Sequence, residues 1–420
     1  MENKKTFTLI NLGCKVNSYE CGSLKSALIE EGFSCVELNE TPDVVIINTC
    51  SVTHVADKKS RQHIRSIRKQ LPNAKICVMG CYAQGNSEYV FSELGADVVT
   101  GCSNRKQIIS YLKDGSKANI TQLNPNKFIY EEISTKSYFD NVRAYLKIQD
   151  GCNNFCSYCL IPYLRGRMRS RDKNNVLQEA RYLVEKGYKE IILTGIHVGG
   201  YGQDINDYSF SDLVEELTEI KDLKRITISS IEASEIDDKL INLIATKENI
   251  AKHLHIPLQS GSEEILKSMN RKYDRQSFID KIQLIRKKCP GIFIATDVIV
   301  GFPGEEDRHF LETYNLIKEV NFNKLHVFPF SARKGTRAYD MKNQIDPKIK
   351  KERVDRLLKL SDQLYEQYTD ECNGQMVSVL VEQYDKKTKL CFGHSENFLE
   401  ISFIGDEKMV NEIIDVKFNK

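Results

Sequence analysis

The segment Asp150-Gly-Cys-Asn-Asn-Phe-Cys-Ser-Tyr-Cys159 contains three cysteines in a C-x3-C-x2-C spacing, directly after the strand-like run Ala144–Gln149. Thiolates spaced this closely suit soft metal ions or iron–sulfur clusters. A structural zinc site normally takes four ligands in two pairs, and this triplet has no fourth partner nearby in the sequence. Three cysteines on a [4Fe-4S] cluster leave one iron open, as a catalytic metal requires. A zinc knuckle completed by a distant cysteine or histidine is the alternative.

The run before these cysteines is the first of six predicted strands, which amphipathic helices separate. The strands span Ala144–Gln149, Glu190–Leu193, Arg225–Ser229, Leu254–Leu258, Phe293–Val300 and Lys324–Phe328. A series of βα units predicts a parallel barrel, complete or partial. Barrel enzymes carry their chemistry on the loops that follow the strands, so the triplet is expected at the barrel mouth.

A second set of three cysteines lies in the first part of the chain, where strand-like and helix-like stretches alternate as in an open α/β sheet. The predicted strands are Phe7–Leu12, Val44–Asn48, Lys75–Met79 and Asp97–Thr100. Cys14, Cys50 and Cys81 follow the first three of them. Because parallel strands end at the same sheet edge, these thiols are expected to meet there. The other seven cysteines are interpreted as structural: Cys21, Cys35, Cys77, Cys102, Cys289, Cys372 and Cys391.

The end of the chain changes character after a charged amphipathic helix, Pro347–Thr369. Its short β-rich runs, separated by polar turns, predict a small β-barrel. The expected class is therefore α/β, with an open parallel-sheet domain at 1–115, a linker at 116–141, a barrel with its helix at 142–370 and the β-rich domain at 371–420.

The composition argues against a protein that is strongly basic overall, a membrane-spanning protein and a secreted protein. The 60 basic and 58 acidic residues give a net charge of only +2, so any nucleic-acid surface must be a local patch. No apolar stretch reaches the ~18 residues of a membrane span, and the N-terminus lacks a signal peptide. A cytoplasmic protein without membrane contact is expected. The odd count of 13 cysteines then favours metal or redox chemistry over disulfides.

The cysteine spacing of the barrel loop, with Tyr158 before the last cysteine, resembles the hallmark of the radical S-adenosylmethionine (SAM) superfamily. The resemblance implies a [4Fe-4S] cluster on Cys152, Cys156 and Cys159 whose open iron chelates SAM. One electron would then cleave SAM to methionine and a 5′-deoxyadenosyl radical. Residues at the same barrel end are candidates for holding SAM: Tyr158, Thr194, Gly195, Gln259, Ser260 and Asp297.

Together with the N-terminal cysteine domain and a β-rich tail similar to a TRAM domain, the barrel resembles the methylthiotransferase family over nearly the whole chain. This resemblance implies a second [4Fe-4S] cluster on Cys14, Cys50 and Cys81 that supplies sulfur. The family reaction replaces C–H with C–S–CH3 and uses two SAM molecules. An electron donor such as flavodoxin or ferredoxin is implied.

The family has branches with different substrates. The strings Leu12-Gly-Cys-Lys-Val-Asn-Ser-Tyr-Glu20 and Lys147–Arg167 look most like the branch that modifies C2 of N6-threonylcarbamoyladenosine at adenosine-37 of tRNA. Lys15-Val16 stands where the isopentenyladenosine branch usually has Gln-Met. That branch, a ribosomal-protein aspartate branch and a non-catalytic, metal-stabilised RNA-binding protein are the alternatives.

Two local clusters of positive charge predict contact with the tRNA anticodon loop. The first follows the barrel cysteines and contains Arg165, Arg167, Arg169 and Arg171. The second decorates the helix after Cys50 and contains Lys58, Lys59, Arg61, Arg65, Arg68 and Lys69. A solvated helix face is the alternative for either cluster.

Overall fold

A computed structural model describes residues 4–133 and 142–420 of the chain. Its first domain is built on a six-stranded sheet in the order β2-β1-β3-β4-β5-β6, with every neighbouring pair parallel. The strands are β1 (Thr6–Asn11), β2 (Ser34–Cys35), β3 (Val44–Thr49), β4 (Lys75–Gly80), β5 (Val98–Val99) and β6 (Ala118–Asn119).

Helices cover both faces of this sheet because its central strands are apolar on both sides. Val44 and Ile46 of β3 pack towards α1 and α5, whereas Val45 and Ile47 pack towards α2, α3 and α4. These helices are α1 (Lys15–Glu30), α2 (His54–Gln70), α3 (Cys81–Gly85), α4 (Ser87–Ser92) and α5 (Ile108–Asp114). The strand order reverses between β1 and β3, and open α/β sheets bind their ligands beyond such a switch point.

The segment 116–141, predicted as a linker, begins with a strand. Ala118–Asn119 pairs with β5 and extends the first sheet by one strand. Periodicity did not reveal it because two residues are too short to show alternation. Residues 134–141 of this predicted linker lie outside the described residues.

The second domain contains six parallel strands that follow one another in sequence order, as predicted. They form two three-stranded sheets, which the backbone hydrogen bond from Ala251 N to Ile226 O, 2.9 Å long, joins into one curved wall. The strands are β7 (Arg143–Lys147), β10 (Glu190–Thr194), β11 (Arg225–Ile228), β12 (His253–His255), β13 (Phe293–Val300) and β14 (Lys324–Pro329). A short antiparallel pair, β8 (Gln149–Asp150) and β9 (Arg169–Ser170), lies at the carboxyl end of β7.

Helices cover the outside of this wall, where the apolar side chains of α7, α8, α9, α11 and α12 form one core with the strands. The helices of this domain are α6 (Ile161–Arg165), α7 (Lys173–Glu185), α8 (Phe210–Thr218), α9 (Asp238–Thr246), α10 (Glu263–Ser268), α11 (Arg275–Lys288), α12 (Asp307–Val320) and α13 (Pro347–Cys372). This arrangement confirms the predicted α/β class.

The barrel is partial. Among the described residues no hydrogen bonds pair β7 with β14, so the wall is open between its first and last strands. Helix α1 of the first domain packs along β7 at this opening. The C-terminal part packs against β13, where Phe293 and Ala295 lie against Tyr368, Val379 and neighbouring residues.

The C-terminal domain is an antiparallel sheet in the order β17-β16-β15-β18. Its strands are β15 (Met376–Asp385), β16 (Leu390–Ser395), β17 (Glu400–Ile404) and β18 (Ile413–Lys417). The register shifts between Val381 and Gln383 of β15, and a bulge of this kind increases the curl of a sheet. The small barrel predicted here is thus a four-stranded half-barrel. Within the described residues, no helix is both long and apolar enough to cross a membrane.

Candidate active site

The cysteine loop of the barrel domain begins directly after β8, and β9 closes its base. Gly151 adopts a φ of 73°, and a Cβ there would lie 2.0 Å from the carbonyl oxygen of Arg167. Only glycine therefore fits at the start of the loop. Burial, followed by the charges of Cys156 and Cys152, raises the pKa of the Cys159 thiol to about 12.

Hydrogen-bond donors surround these sulfurs. The guanidinium of Arg271 donates to Cys156 Sγ at 3.2 Å, and the backbone N–H of Asn154 donates to Cys152 Sγ at 3.4 Å. Burial would lower the pKa of His197, but hydrogen bonds to Cys152 and Glu235 raise it to about 10. Hydrogen-bond donors to sulfur are typical of sites where a thiolate binds a metal. Sequence reasoning missed Arg271 and His197, although His197 lies in the glycine-rich turn after β10.

The three N-terminal cysteines come together at the carboxyl edge of the first sheet. Cys14 precedes α1, Cys50 follows β3, and Cys81 begins α3 directly after β4. Gly80 has a φ of 96°, which lets β4 turn sharply into α3 and places Cys81 at the edge. Cys14 and Cys81 both act electrostatically on Cys50, whose pKa is raised to about 11, mainly by burial.

Cys102, which the sequence analysis left among the structural cysteines, also lies at this edge. Its Sγ is 3.9 Å from that of Cys81, and both thiols are buried. The hydrogen bond from Cys102 and the charge of Arg165, acting against burial, lower the pKa of Cys81 to about 6. The sequence carried a signal, because Gly101-Cys102 follows its strand in the same dipeptide as Gly80-Cys81.

A buried network of charges joins the two cysteine sites. Arg165 is fully buried, and its NH1 lies 2.8 Å from Glu20 Oε1 of α1 and 3.1 Å from Asp150 Oδ1 beside the barrel loop. Lys147 bonds the same two carboxylates at 3.0 and 2.6 Å. Burial alone would raise the pKa of Glu20, but Arg105, Arg165 and Lys147 hold it well below its ordinary value.

This network corrects the prediction of RNA contact for two of the four arginines. Arg165 has no exposed side chain, and Arg171 is buried in ion pairs with Glu132 and Glu179. Arg169 is half-buried and donates to the carbonyl oxygens of Arg165 and Arg167. Of the four, only Arg167 is exposed, with its guanidinium 4.6 Å from the ring centre of Phe155.

A cavity of about 260 Å³ lies between the two domains, beside both cysteine sites. Ser51, Val52 and Thr53, which follow Cys50, form one side of it. The barrel side includes Cys159, Tyr158, Leu160, Ile161, Gln259, Asp297, Ile299, Phe328, Pro329, Phe330, Ser331 and Arg333. Gln259 has a φ of 61°, and its buried Oε1 has no hydrogen-bond partner among the described residues. A buried acceptor without a partner indicates a place for a ligand donor.

The residues proposed to hold SAM divide into two groups. Tyr158, Gln259 and Asp297 line the cavity and remain candidates. The other three do not line it: Thr194, Gly195 and Ser260. The buried hydroxyl of Ser260 lies 3.3 Å from Thr313 Oγ1 and accepts a hydrogen bond from Ser262 N.

The donor sets fit iron–sulfur clusters. In residues 4–133 and 142–420, no three cysteine, histidine or carboxylate side chains converge closely enough to bind a single metal ion. A cubane cluster instead takes its thiolate ligands at separate corners, and each set consists of thiols alone. The three thiols of the barrel loop also differ from the closed four-ligand shell of structural zinc.

The basic helix α2 presents part of its charge to solvent. Lys58, Lys59 and Arg65 are exposed, whereas Arg68 is held by Asp97 at 2.5 Å and by backbone carbonyls. Two apolar side chains beside the cavity are also exposed, Val52 by 61% and Val55 by 75%.

Comparison with known families gives two matches. Residues 146–317 match the radical SAM superfamily, and residues 6–101 match a family described as uncharacterized protein family UPF0004. A radical SAM methyltransferase from Kitasatospora setae, solved with cobalamin and a [4Fe-4S] cluster, is similar in fold with a TM-score of 0.60. It is 14% identical, and the match covers 80% of this chain and 77% of that one.

Curated relatives match over the whole chain. The threonylcarbamoyladenosine tRNA methylthiotransferase MtaB of Bacillus subtilis is 44% identical, with 99% of this chain and 94% of the relative covered. The MtaB protein of Chlamydia pneumoniae is 37% identical, with 100% and 96% covered. A tRNA-2-methylthio-N(6)-dimethylallyladenosine synthase of Clostridium perfringens is 34% identical, with 99% and 95% covered.

Proposed function

The chain belongs to the radical SAM methylthiotransferases, and we infer that it is the enzyme that attaches a methylthio group to N6-threonylcarbamoyladenosine in tRNA. The observation that carries this inference is the 44% identity, over 99% of the chain, with a relative of that named activity. The dimethylallyladenosine synthase matches over the same length at only 34%.

Its cofactors are SAM and [4Fe-4S] clusters. We propose that Cys152, Cys156 and Cys159 hold the cluster that binds SAM. We assign Cys14, Cys50 and Cys81 to the cluster that supplies sulfur. When bound, the first supplies an electron that cleaves SAM, and the second supplies the sulfur that is transferred.

The chain's own residues would orient the reactants in the cavity between the two sites. Its apolar wall, formed by Ile299, Phe328 and Phe330, excludes water from a reactive species. The unpartnered Gln259 Oε1 accepts a hydrogen bond from a bound molecule, and Asp297, which lies 3.0 Å from His255, adds a second acceptor. Since the cavity borders both cysteine loops, one bound nucleoside can face both clusters.

Lys15 offers a physical reason for the threonylcarbamoyl substrate. It follows Cys14, is open to solvent, and forms no hydrogen bond or ion pair with any described residue. Desolvation, followed by the charge of Arg143, lowers its pKa, and its charge acts on His253 and His326, so it lies on the side of the first domain that faces the barrel wall. A threonylcarbamoyl group carries a carboxylate and an isopentenyl group carries none, so we propose that Lys15 pairs with this carboxylate.

We propose further that the substrate nucleotide belongs to the anticodon loop. The exposed cations of α2 and Arg167 provide contacts for the phosphate backbone on the side where the cavity opens. Val52 and Val55 provide apolar contacts for bases taken out of their stack. A flavodoxin or ferredoxin is the class of donor proposed to deliver the electron.

Mass spectrometry of tRNA nucleosides tests the substrate assignment. Deletion of the gene should remove the methylthio derivative of threonylcarbamoyladenosine and leave its unmodified precursor. The full chain should restore the derivative, and a Cys156→Ala chain should not. Loss of methylthio-isopentenyladenosine instead, with the threonylcarbamoyl derivative intact, would overturn the assignment.

Iron analysis separates this enzyme from a non-catalytic RNA-binding protein. Anaerobically purified chain should contain about eight iron atoms with matching sulfide, as two [4Fe-4S] clusters require. Zinc without sulfide would support the non-catalytic alternative.

A further inference from the structure

The sulfur of Cys81 accepts two hydrogen bonds from side chains outside the cysteine set assigned to this cluster. Arg165 donates its Nε–H to Cys81 Sγ at 3.3 Å, and Cys102 donates its S–H to the same sulfur at 3.9 Å. Both donors are buried, with Arg165 at 0% and Cys102 at 2% exposure. Hydrogen bonds to a ligand sulfur are one of the means by which proteins adjust an iron–sulfur cluster.

The other edge of the same guanidinium is fixed. The two terminal nitrogens of Arg165 bond Glu20 at 2.8 and 3.2 Å, and NH1 also bonds Asp150 at 3.1 and 3.3 Å. Because the guanidinium is planar, fixing this edge also fixes the direction in which Nε–H points. Glu20 comes from the first domain and Asp150 from the barrel domain, so Cys81 is aligned with the barrel loop through one side chain.

The charges of this network do not balance within the protein. Its cations are Arg105, Lys147, Arg165 and Arg169. The carboxylates paired with them are Glu20, Glu131 and Asp150. Among the described residues this leaves four positive charges against three negative ones. An unpaired charge is costly when buried, and the group that Arg165 faces on its remaining side is the sulfur of Cys81. A thiolate-ligated cluster supplies negative charge at that position.

We propose that Arg165 and Cys102 are positioning residues that hydrogen-bond the Cys81 ligand and thereby set the reduction potential of the sulfur-supplying cluster. This rests on the proposed role of Cys81 as a ligand. Donors to a ligand sulfur favour the more electron-rich state, so their loss makes a cluster harder to reduce. Arg165 contributes a donor and the excess charge, whereas Cys102 contributes a donor alone.

The test is a redox titration, monitored by electron paramagnetic resonance, of the full chain with Cys152, Cys156 and Cys159 changed to Ala. That background retains only the N-terminal cluster. Arg165→Gln should shift its midpoint potential to more negative values, and Cys102→Ala should shift it by less. Cys102→Ser keeps a hydroxyl donor and should return the potential towards that of the parent.

Two matched controls accompany these variants. Arg167→Gln changes an exposed arginine two residues away, and Cys289→Ala changes a buried cysteine of the barrel core. Neither should move the potential. Arg165→Lys keeps the charge but loses the planar Nε donor, so its shift should lie between those of the parent and Arg165→Gln.

Arg165→Gln leaves Glu20 and Asp150 with fewer partners and can disrupt the contact between the two domains. Cys102→Ala lies outside the charge network and therefore serves as an independent test. Unchanged potentials in both Cys102→Ala and Arg165→Lys would overturn the inference. If Cys81→Ala in the same background left the iron content intact, the ligand assignment itself would be wrong. Iron loss in Cys81→Ala with unmoved potentials in the other variants would refute only the role of the two donors.

Discussion

The two cysteine sites are built in opposite ways. Cys152, Cys156 and Cys159 lie within eight residues of one loop, whereas Cys14, Cys50 and Cys81 are separated by 36 and 31 residues and follow three different strands. The first site needs one turn of backbone, and Gly151 and β8 with β9 provide it. The second exists only when β1, β3 and β4 are in register. A site on one loop can be recognised from the spacing of its residues in the sequence. A site assembled from several strands can be recognised only from the fold that brings these strands together.

Single cysteine substitutions in the two sites should separate the roles of these sites, and they should have the largest effect on activity of the changes considered. Both Cys156→Ala and Cys50→Ala should abolish methylthiolated product. Cys156→Ala should also abolish SAM cleavage to 5′-deoxyadenosine, whereas Cys50→Ala should retain it, because Cys50 belongs neither to the barrel loop nor to the charge network that joins this loop to the first domain. Each should lower the iron content from about eight atoms to about four. Cys289→Ala is the control, and full turnover in either ligand variant would contradict the assignment.

Removing the charge of Lys15, beside the N-terminal cysteine site, tests whether this site also recognises the substrate. Lys15→Gln should lower kcat/KM for tRNA with threonylcarbamoyladenosine roughly 10- to 100-fold, as expected for the loss of a hydrogen bond to a charged group. The iron content should stay unchanged, and this result would show that the neighbouring Cys14 still binds its cluster. Lys221→Gln, at an exposed position, is the matched control. An equal loss on a substrate without the carboxylate would remove Lys15 from recognition.

The smallest expected effect is a pH dependence at the contact between the barrel and the C-terminal sheet. His253 is stacked between Phe293 and Phe398 where the barrel meets the C-terminal sheet, and burial holds its pKa well below the ordinary value. The charges that face it are those of His255, Lys15, His326 and Arg143. Folded His253 is neutral while the unfolded chain takes up a proton below its ordinary pKa of about 6.5. Stability is therefore retained above that pH and lost as pH falls below it, by at most about 1.4 kcal/mol per unit.

Urea unfolding of wild type and His253→Phe at pH 7.5 and 5.5 measures this dependence. The loss of stability on acidification should be smaller by about 1 kcal/mol in the variant, which keeps the ring stack but cannot titrate. His326, whose pKa burial also lowers, remains in both chains and cancels in the difference. Identical acid sensitivity in the two chains would place the effect elsewhere, in one of the cysteine sites for example.

The sequence predicted the six barrel strands and four of the six strands of the first sheet, because apolar runs mark them. It predicted both cysteine triplets from the cysteines that follow four of these runs. It did not predict the position of Arg165 and Arg171. A run of arginines normally indicates a solvated surface, since burying each charge is costly without a partner. The main partners, Glu20 and Glu179, lie in other helices, and only tertiary contact shows that they meet these arginines. Cys102 was missed although the strand before it was predicted, because only the tertiary fold shows that its sulfur lies 3.9 Å from that of Cys81.

The unpaired edge between β7 and β14 determines how a substrate can arrive. A closed eight-stranded barrel admits only molecules that can enter through its open end, so it suits a small, freely diffusing metabolite. A slot that runs down the side of the wall accepts a group that is still attached to a long polymer at both ends. Among the described residues β7 and β14 leave such a gap, and α1 of the domain that holds Cys14, Cys50 and Cys81 packs along β7 beside it.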